Sequence, residues 1–340
     1  MSEPLPDFSH YEVAVVGDLV ADRYVHAEPA RVSREAPVLV LRWTGEELRP
    51  GGAANAARNL RALGARVRVL GCVGRDAVGR ELLEVLEREQ LDVSGIESLP
   101  GWTTPTKTRV LAAEPRRTPQ QVFRIDREPV GPLPGPGAER LAIRLRELLG
   151  KVDAVLLSDY DYGAIGADCA QTLQVLRRGP IPIVLDPRHS LELMPGLLAA
   201  TPNLEELAWA AHCDPRRLAD PAELARVANA LRERLGHRHL LVTQGNRGMT
   251  LFGVDQPALG LHVEPCGSEA VVDVSGAGDT AAAAFLLALT ARCAAPQAMR
   301  IANAAAGVVV MKSGTAVCDR AELTAALAAA PAPREVLVHS

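Results

Sequence analysis

The run Val271-Val-Asp-Val-Ser-Gly-Ala-Gly-Asp279 carries the residues best suited to chemistry. Its start reads as a strand, Gly276 and Gly278 permit a tight turn, and the Ala/Leu-rich stretch that follows is a strong helix former. The N–H groups around Ala277, Gly278 and Asp279 then point out of the helix start, where the dipole favours an anion. A carboxylate there repels a bound phosphate. It makes sense if it takes a proton from a nucleophile beside a phosphoryl group in transfer. A helix N-cap is the competing reading of Asp279.

Two further turns have the same strand-to-helix character. Arg49-Pro-Gly-Gly-Ala-Ala-Asn55 leads into a helix; Gly51 and Gly52 allow a ligand close to the backbone, and Asn55 offers a donor and an acceptor to a hydroxyl. In Thr201-Pro-Asn-Leu-Glu-Glu206, Asn203 and Glu206 are three apart. They suit a hydrated Mg²⁺ held through water, or equally a capping box. Other templates fail: there is no G-x-x-x-x-G-K-[ST] loop, no G-x-G-x-x-G after the first strand, and no H-E-x-x-H or G-x-S-x-G.

These turns need a scaffold that ends strands beside helix starts. Val13–Val16, Val67–Cys72, Ala154–Leu157, Ile183–Leu185 and Leu240–Thr243 read as buried strands, with helical patterns at 53–63 and 77–90. That alternation predicts a three-layer α/β fold, a mostly parallel sheet with helices on both faces. Pro37–Trp43, Thr106–Ala112 and Gln121–Asp126 break the rhythm and read as a small inserted β-sheet, suited to a lid. We expect one domain over residues 12–325, with lid strands from about 19–48 and 103–127, and a Pro/Ala-rich tail over 326–340.

Composition narrows the class. With 340 residues and 48% hydrophobic content the chain builds a real core. A net charge of -4 argues against a nucleic-acid partner. The N-terminus has no signal-peptide pattern, and the longest apolar stretch, around residues 281–291, is too short for a membrane span. Six scattered cysteines suggest neither zinc nor disulfides, and hence a cytoplasmic protein. Only three lysines occur, Lys107, Lys151 and Lys312; the other 34 basic residues are arginine.

Taken together, G-G-A-A-N at 51–55, P-N-x-x-E at 202–206 and D-x-S-G-A-G-D at 273–279 resemble the ribokinase-like (PfkB) carbohydrate kinases, in the family's order and spacing. Gly17–Tyr24, Ser33–Val38, Thr104–Arg109, Leu157-Ser-Asp-Tyr160 and Asn303–Val310 look like the D-glycero-β-D-manno-heptose 7-phosphate kinases within it. Many of those carry a second domain with H-x-G-H, which is absent here, so the chain looks like a stand-alone kinase. Two positions depart from the heptose-kinase pattern: Asp161-Tyr162-Gly163 stands where Gly-Lys-Gly is usual, and Arg188 replaces a lysine.

The resemblance implies an ATP-dependent transfer to a sugar hydroxyl. Asp279 would be the general base, and the N–H groups of Gly276, Ala277 and Gly278 the anion hole. Asn203 and Glu206 would lie near the phosphates and Mg²⁺, with Glu206 reaching the metal through water. The nucleotide would lie along Thr243, Gly245 and Gly248 and around Asn303. The sugar would meet Asp18, Gly51, Gly52, Asn55 and Asp159, with Lys107 and Arg109 reaching in from the lid. A substrate phosphate would be gripped from among Lys107, Arg109, Arg124 and Arg188, and Lys312 would lie near the nucleotide. The resemblance further implies a monovalent cation such as K⁺ near the Asp273–Asp279 loop and a homodimer through lid residues such as Val38, Val40, Val110 and Phe123. Another sugar or a nucleoside as acceptor, and a non-catalytic sensor, are the alternatives.

Overall fold

The computed structural model describes residues 4–113, 117, 119–176, 181–253, 255–267 and 271–336. The chain opens with strand β1 (Glu12–Gly17) and two long strands, β2 (Leu19–Val32) and β3 (Leu39–Gly52). Helix α1 (Ala53–Ala62) starts directly off β3. Next come β4 (Arg66–Gly74), α2 (Ala77–Arg88), β5 (Asp92–Leu99), β6 (Thr106–Ala112) and β7 (Gln120–Arg127). The middle of the chain holds α3 (Gly135–Leu148), β8 (Ala154–Ser158), α4 (Ala167–Leu176), β9 (Ile183–Asp186), β10 (Ala199–Ala200) and α5 (Leu204–Ala210). The last third holds α6 (Pro221–Leu235), β11 (His239–Thr243), β12 (Met249–Gly253), β13 (Leu261–Val263), α7 (Ala277–Thr290), α8 (Ala295–Val309), α9 (Arg320–Ala329) and β14 (Arg334–Glu335).

Ten strands form one sheet in the order β14-β13-β12-β11-β10-β9-β8-β1-β4-β5. Pairing is parallel from β5 to β11 and antiparallel from β11 to β14. Successive residues of β1 alternate between two cores: Val13 and Val15 join the side covered by α1, α7 and α8, while Ala14 and Val16 join the side covered by α3 to α6. Helix α7 runs through the first core, and every residue from Ala281 to Ala288 is buried, so its sequence is apolar all round.

The second sheet, β3-β2-β6-β7, is the inserted one expected to serve as a lid. β2 leaves the main sheet one residue after β1 ends, and β3 returns straight into α1. Gly52 (φ +58) makes that corner, and Ala53 N–H donates to the Asp18 carbonyl across it. The tail differs from expectation. Residues 326–329 finish α9, and β14 pairs antiparallel with β13, so this segment is the edge of the main sheet and not a linker. Val336 N–H adds one more bond, to the Gly260 carbonyl at 3.2 Å.

Candidate active site

At the carboxyl ends of β8, β9 and β11 the strands open onto a cavity of about 890 Å³. The crevice at strand ends is where open α/β sheets bind ligands. Its lining includes Tyr160, Asp186, Arg188, Glu206, Thr243 and Gly278 from the main body and Lys107 and Arg124 from the lid.

Asp279 is in the first turn of α7, behind Gly276 in the left-handed conformation (φ 77). Its side chain does not cap the helix. One carboxylate oxygen accepts from Asn55 Nδ2 at 2.8 Å and the other from the Tyr160 hydroxyl at 2.7 Å. Burial pushes its pKa up to about 8, with Asp186 and Asp22 adding repulsion, while the two donors pull it back. A Cβ on Gly276 would strike the Asn55 amide, so this glycine lets the two motifs meet. Of the three expected anion-hole amides, Ala277 N–H already donates to the Val274 carbonyl at 3.3 Å, and Gly278 lines the cavity.

Several expectations need correction. Asp18 is 3% exposed, and its oxygens accept from the backbone N–H groups of Tyr160, Tyr162 and Ala164 at 2.9, 3.1 and 2.9 Å. It fixes the turn after β8. Asp159 accepts from the N–H groups of Asp161, Arg188, His189 and Ser190, tying the ends of β8 and β9 together at the cavity wall. Asn55 spends its amide on Asp279 and takes a bond from Asn59, so it supports the carboxylate. Arg109 is ion-paired with buried Asp22 and lies over the Tyr24 ring at 5.4 Å, which removes it from the cationic wall. Lys312 ties the turn before α9, to the Val317 carbonyl at 2.8 Å and to Glu322 at 2.6 Å.

Asn203 and Glu206 form the capping box of α5: Glu206 N–H donates to Asn203 Oδ1 at 2.9 Å and Asn203 N–H to Glu206 Oε2 at 2.8 Å. Glu206 also faces the cavity. Burial raises its pKa to about 7, partly offset by Arg188 at 3.4 Å. Asp186 rises to about 7 through burial and the charge of Glu206, while the Thr201 hydroxyl donates to it at 2.8 Å. Two crowded oxygen-donor acids suit a hard, hydrated divalent cation such as Mg²⁺. Thr243 bridges to Asn203, bringing the β11 end to this corner. Gly245 and Gly248 shape the tight turn to β12, where a Cβ on Gly248 would meet the Val263 carbonyl. Asn303 on α8 is 3% exposed and donates to the Glu264 carbonyl at 2.9 Å.

Gly51 and Gly52 face the lid hinge; a Cβ on Gly51 would run into the Asp22 carboxylate. Asp22, Asp186 and Tyr160 are the residues the motif reading missed. Asp22 and Tyr160 stood inside quoted segments, but nothing in one dimension set them beside Asp279.

Among known proteins, the model of the pfkB family of carbohydrate kinases matches residues 11–322. Bifunctional protein HldE of Halorhodospira halophila is 39% identical over 335 residues, 98% of this chain and 67% of that protein. HldE of Pseudomonas aeruginosa is 39% identical over 331 residues, 96% and 66% respectively, so the chain spans about two-thirds of these relatives. Escherichia coli phosphofructokinase-2 in complex with potassium superposes with a TM-score of 0.74 over 94% of this chain and 98% of that one, at 17% identity. Arabidopsis thaliana ribokinase complexed with ribose and ATP gives 0.69 over 93% and 98%, at 21% identity. The fold is therefore the ribokinase-like α/β fold with its small second sheet. With motif, fold and family match in agreement, the chain belongs to the pfkB family of carbohydrate kinases.

Proposed function

We propose that this kinase acts on a sugar already bearing a phosphate, and that its acceptor is O1 of D-glycero-β-D-manno-heptose 7-phosphate, giving the 1,7-bisphosphate. The observation that carries the reading is one cavity that Lys107 and Arg124 of the small sheet, Arg188 just after β9 and Gly278 at the start of α7 all line. Lys107 Nζ is 3.7 Å from Asp126 and 6.0 Å from the Tyr162 ring; Arg124 also pairs with Asp126. Such a cluster suits a distal phosphate, with Arg188 gripping as a planar fork. The 39% identity to HldE supports the same choice.

Asp279 takes the proton of the acceptor hydroxyl as its oxygen bonds to the γ-phosphorus. The bond from that phosphorus to the bridging oxygen breaks and ADP leaves. The start of α7 stabilises the charge on the transferred group without rearranging. Asp186 and Glu206 would hold Mg²⁺ through water, and the metal would neutralise phosphate charge. Lid closure excludes water from the reacting atoms. A monovalent cation beside the Asp273–Asp279 loop is part of the proposal, in line with the potassium complex of the phosphofructokinase-2 neighbour.

An ATP-consumption assay comparing heptose 7-phosphate with ribose, fructose and unphosphorylated heptose tests the reading. The 7-phosphate should give the highest kcat/KM. Lys107→Ala should raise its KM about tenfold or more, the worth of a charge-assisted hydrogen bond. Equal use of a plain sugar, with no effect of Lys107→Ala, would replace heptose 7-phosphate by another acceptor.

A further inference from the structure

Tyr160 stands between the cavity and the carboxylate that faces it. It lines the cavity, whereas Asp279 is only 2% exposed, and its hydroxyl donates to Asp279 at 2.7 Å. That is the oxygen-to-oxygen distance an acceptor hydroxyl must reach to hand over its proton. Each carboxylate oxygen already holds one donor and almost none of the group is exposed, so an incoming hydroxyl reaches it only where a neighbouring donor moves aside. Asn55 cannot yield from the cavity side: it is fully buried in α1, with Asn59 bonded to it one turn on. Tyr160 sits on the turn after β8, pinned through its backbone N–H to Asp18, and lines the cavity.

The charged groups acting on this pair are Asp186 and Asp22, the latter ion-paired with Arg109. With burial they keep the phenol protonated and hence a donor.

We propose that Tyr160 is an acceptor-specificity residue: its hydroxyl occupies the acceptor's place on Asp279 until a sugar displaces it, and thereby denies that place to water. Water there would lose its proton to Asp279 while its oxygen bonds to the γ-phosphorus, giving ADP and inorganic phosphate. A sugar held by several groups displaces the phenol; a single water has only that one bond to offer. The proposal rests on Asp279 being the general base.

The test is Tyr160→Phe assayed with MgATP alone. Sugar-independent ADP release should rise about tenfold or more, a fraction of what a general base contributes. The rise should vanish in the Tyr160→Phe/Asp279→Asn double variant. Unchanged or lower hydrolysis in a folded Tyr160→Phe, with kcat on the sugar reduced, would overturn the proposal and leave Tyr160 as a support for Asp279. Asp279→Asn that still phosphorylates sugar would instead overturn the base assignment. Should Tyr160→Phe not fold, a crystal structure of the wild type with heptose 7-phosphate and a non-hydrolysable ATP analogue decides. The acceptor oxygen should replace the phenol on Asp279; a phenol still bonded there beside bound sugar refutes displacement.

Discussion

At the residue scale the site is governed by carboxylates brought together out of water. Asp279, with its pKa near 8, is half ionised only in mild alkali, so kcat/KM should climb with pH and level off above about 8. The stability effect has the opposite sign. The unfolded carboxyl titrates at its ordinary value near 3.8, so the folded state binds the proton more tightly. Stability from this group is full below that value and lost as pH rises toward 8. Asp279→Asn should therefore melt higher than wild type above pH 8 while losing about 10²–10⁴ in turnover, by scanning calorimetry and coupled assay. A lower melting temperature in that variant would contradict the buried-charge account. The acid itself was legible from Gly276-Ala-Gly-Asp279. Its partners were not: Asn55 is 224 positions away and Tyr160 is 119, and only the fold makes them neighbours.

At the element scale, Asp18 joins the lid hinge to the turn after β8. Asp18→Ala leaves three backbone N–H groups without their acceptor, each costing roughly 1–3 kcal/mol if it stays buried. A fall in melting temperature, with weakened heptose 7-phosphate binding by calorimetry, is the expected result; wild-type values would mean the turn holds without it. Gly276→Ala forces a left-handed residue and a collision with Asn55, so it should cost about 1–2 kcal/mol and displace the Asn55–Asp279 contact. The buried strands were legible because Val13–Val16 and Leu240–Val242 are short, wholly apolar runs. β2 was harder to read, since it passes from the core to solvent and carries bulges at His26/Ala27 and Pro29/Arg31 that break its alternation. β10 and β14, two residues each, carry no periodicity at all.

For the molecule as a whole, the lid leaves an apolar surface in water. Val38, Leu39, Trp43, Phe123 and Ile125 are each about half exposed or more, whereas Val110 is buried within the sheet. We propose that a second copy covers this surface. Phe123→Glu with Ile125→Glu should shift the protein from dimer to monomer in light scattering; a wild-type monomer at working concentration would refute it. Among the described residues no helix is long and apolar enough to cross a membrane. The lysine count has a practical consequence. Lys312 is locked by Glu322 and the Val317 carbonyl, Lys151 is exposed in a turn, and Lys107 borders the cavity. The chain thus carries its own reporter: acylation followed by peptide mass spectrometry would read occupancy at Lys107 directly, with Lys151 as internal standard, and no engineered label is needed.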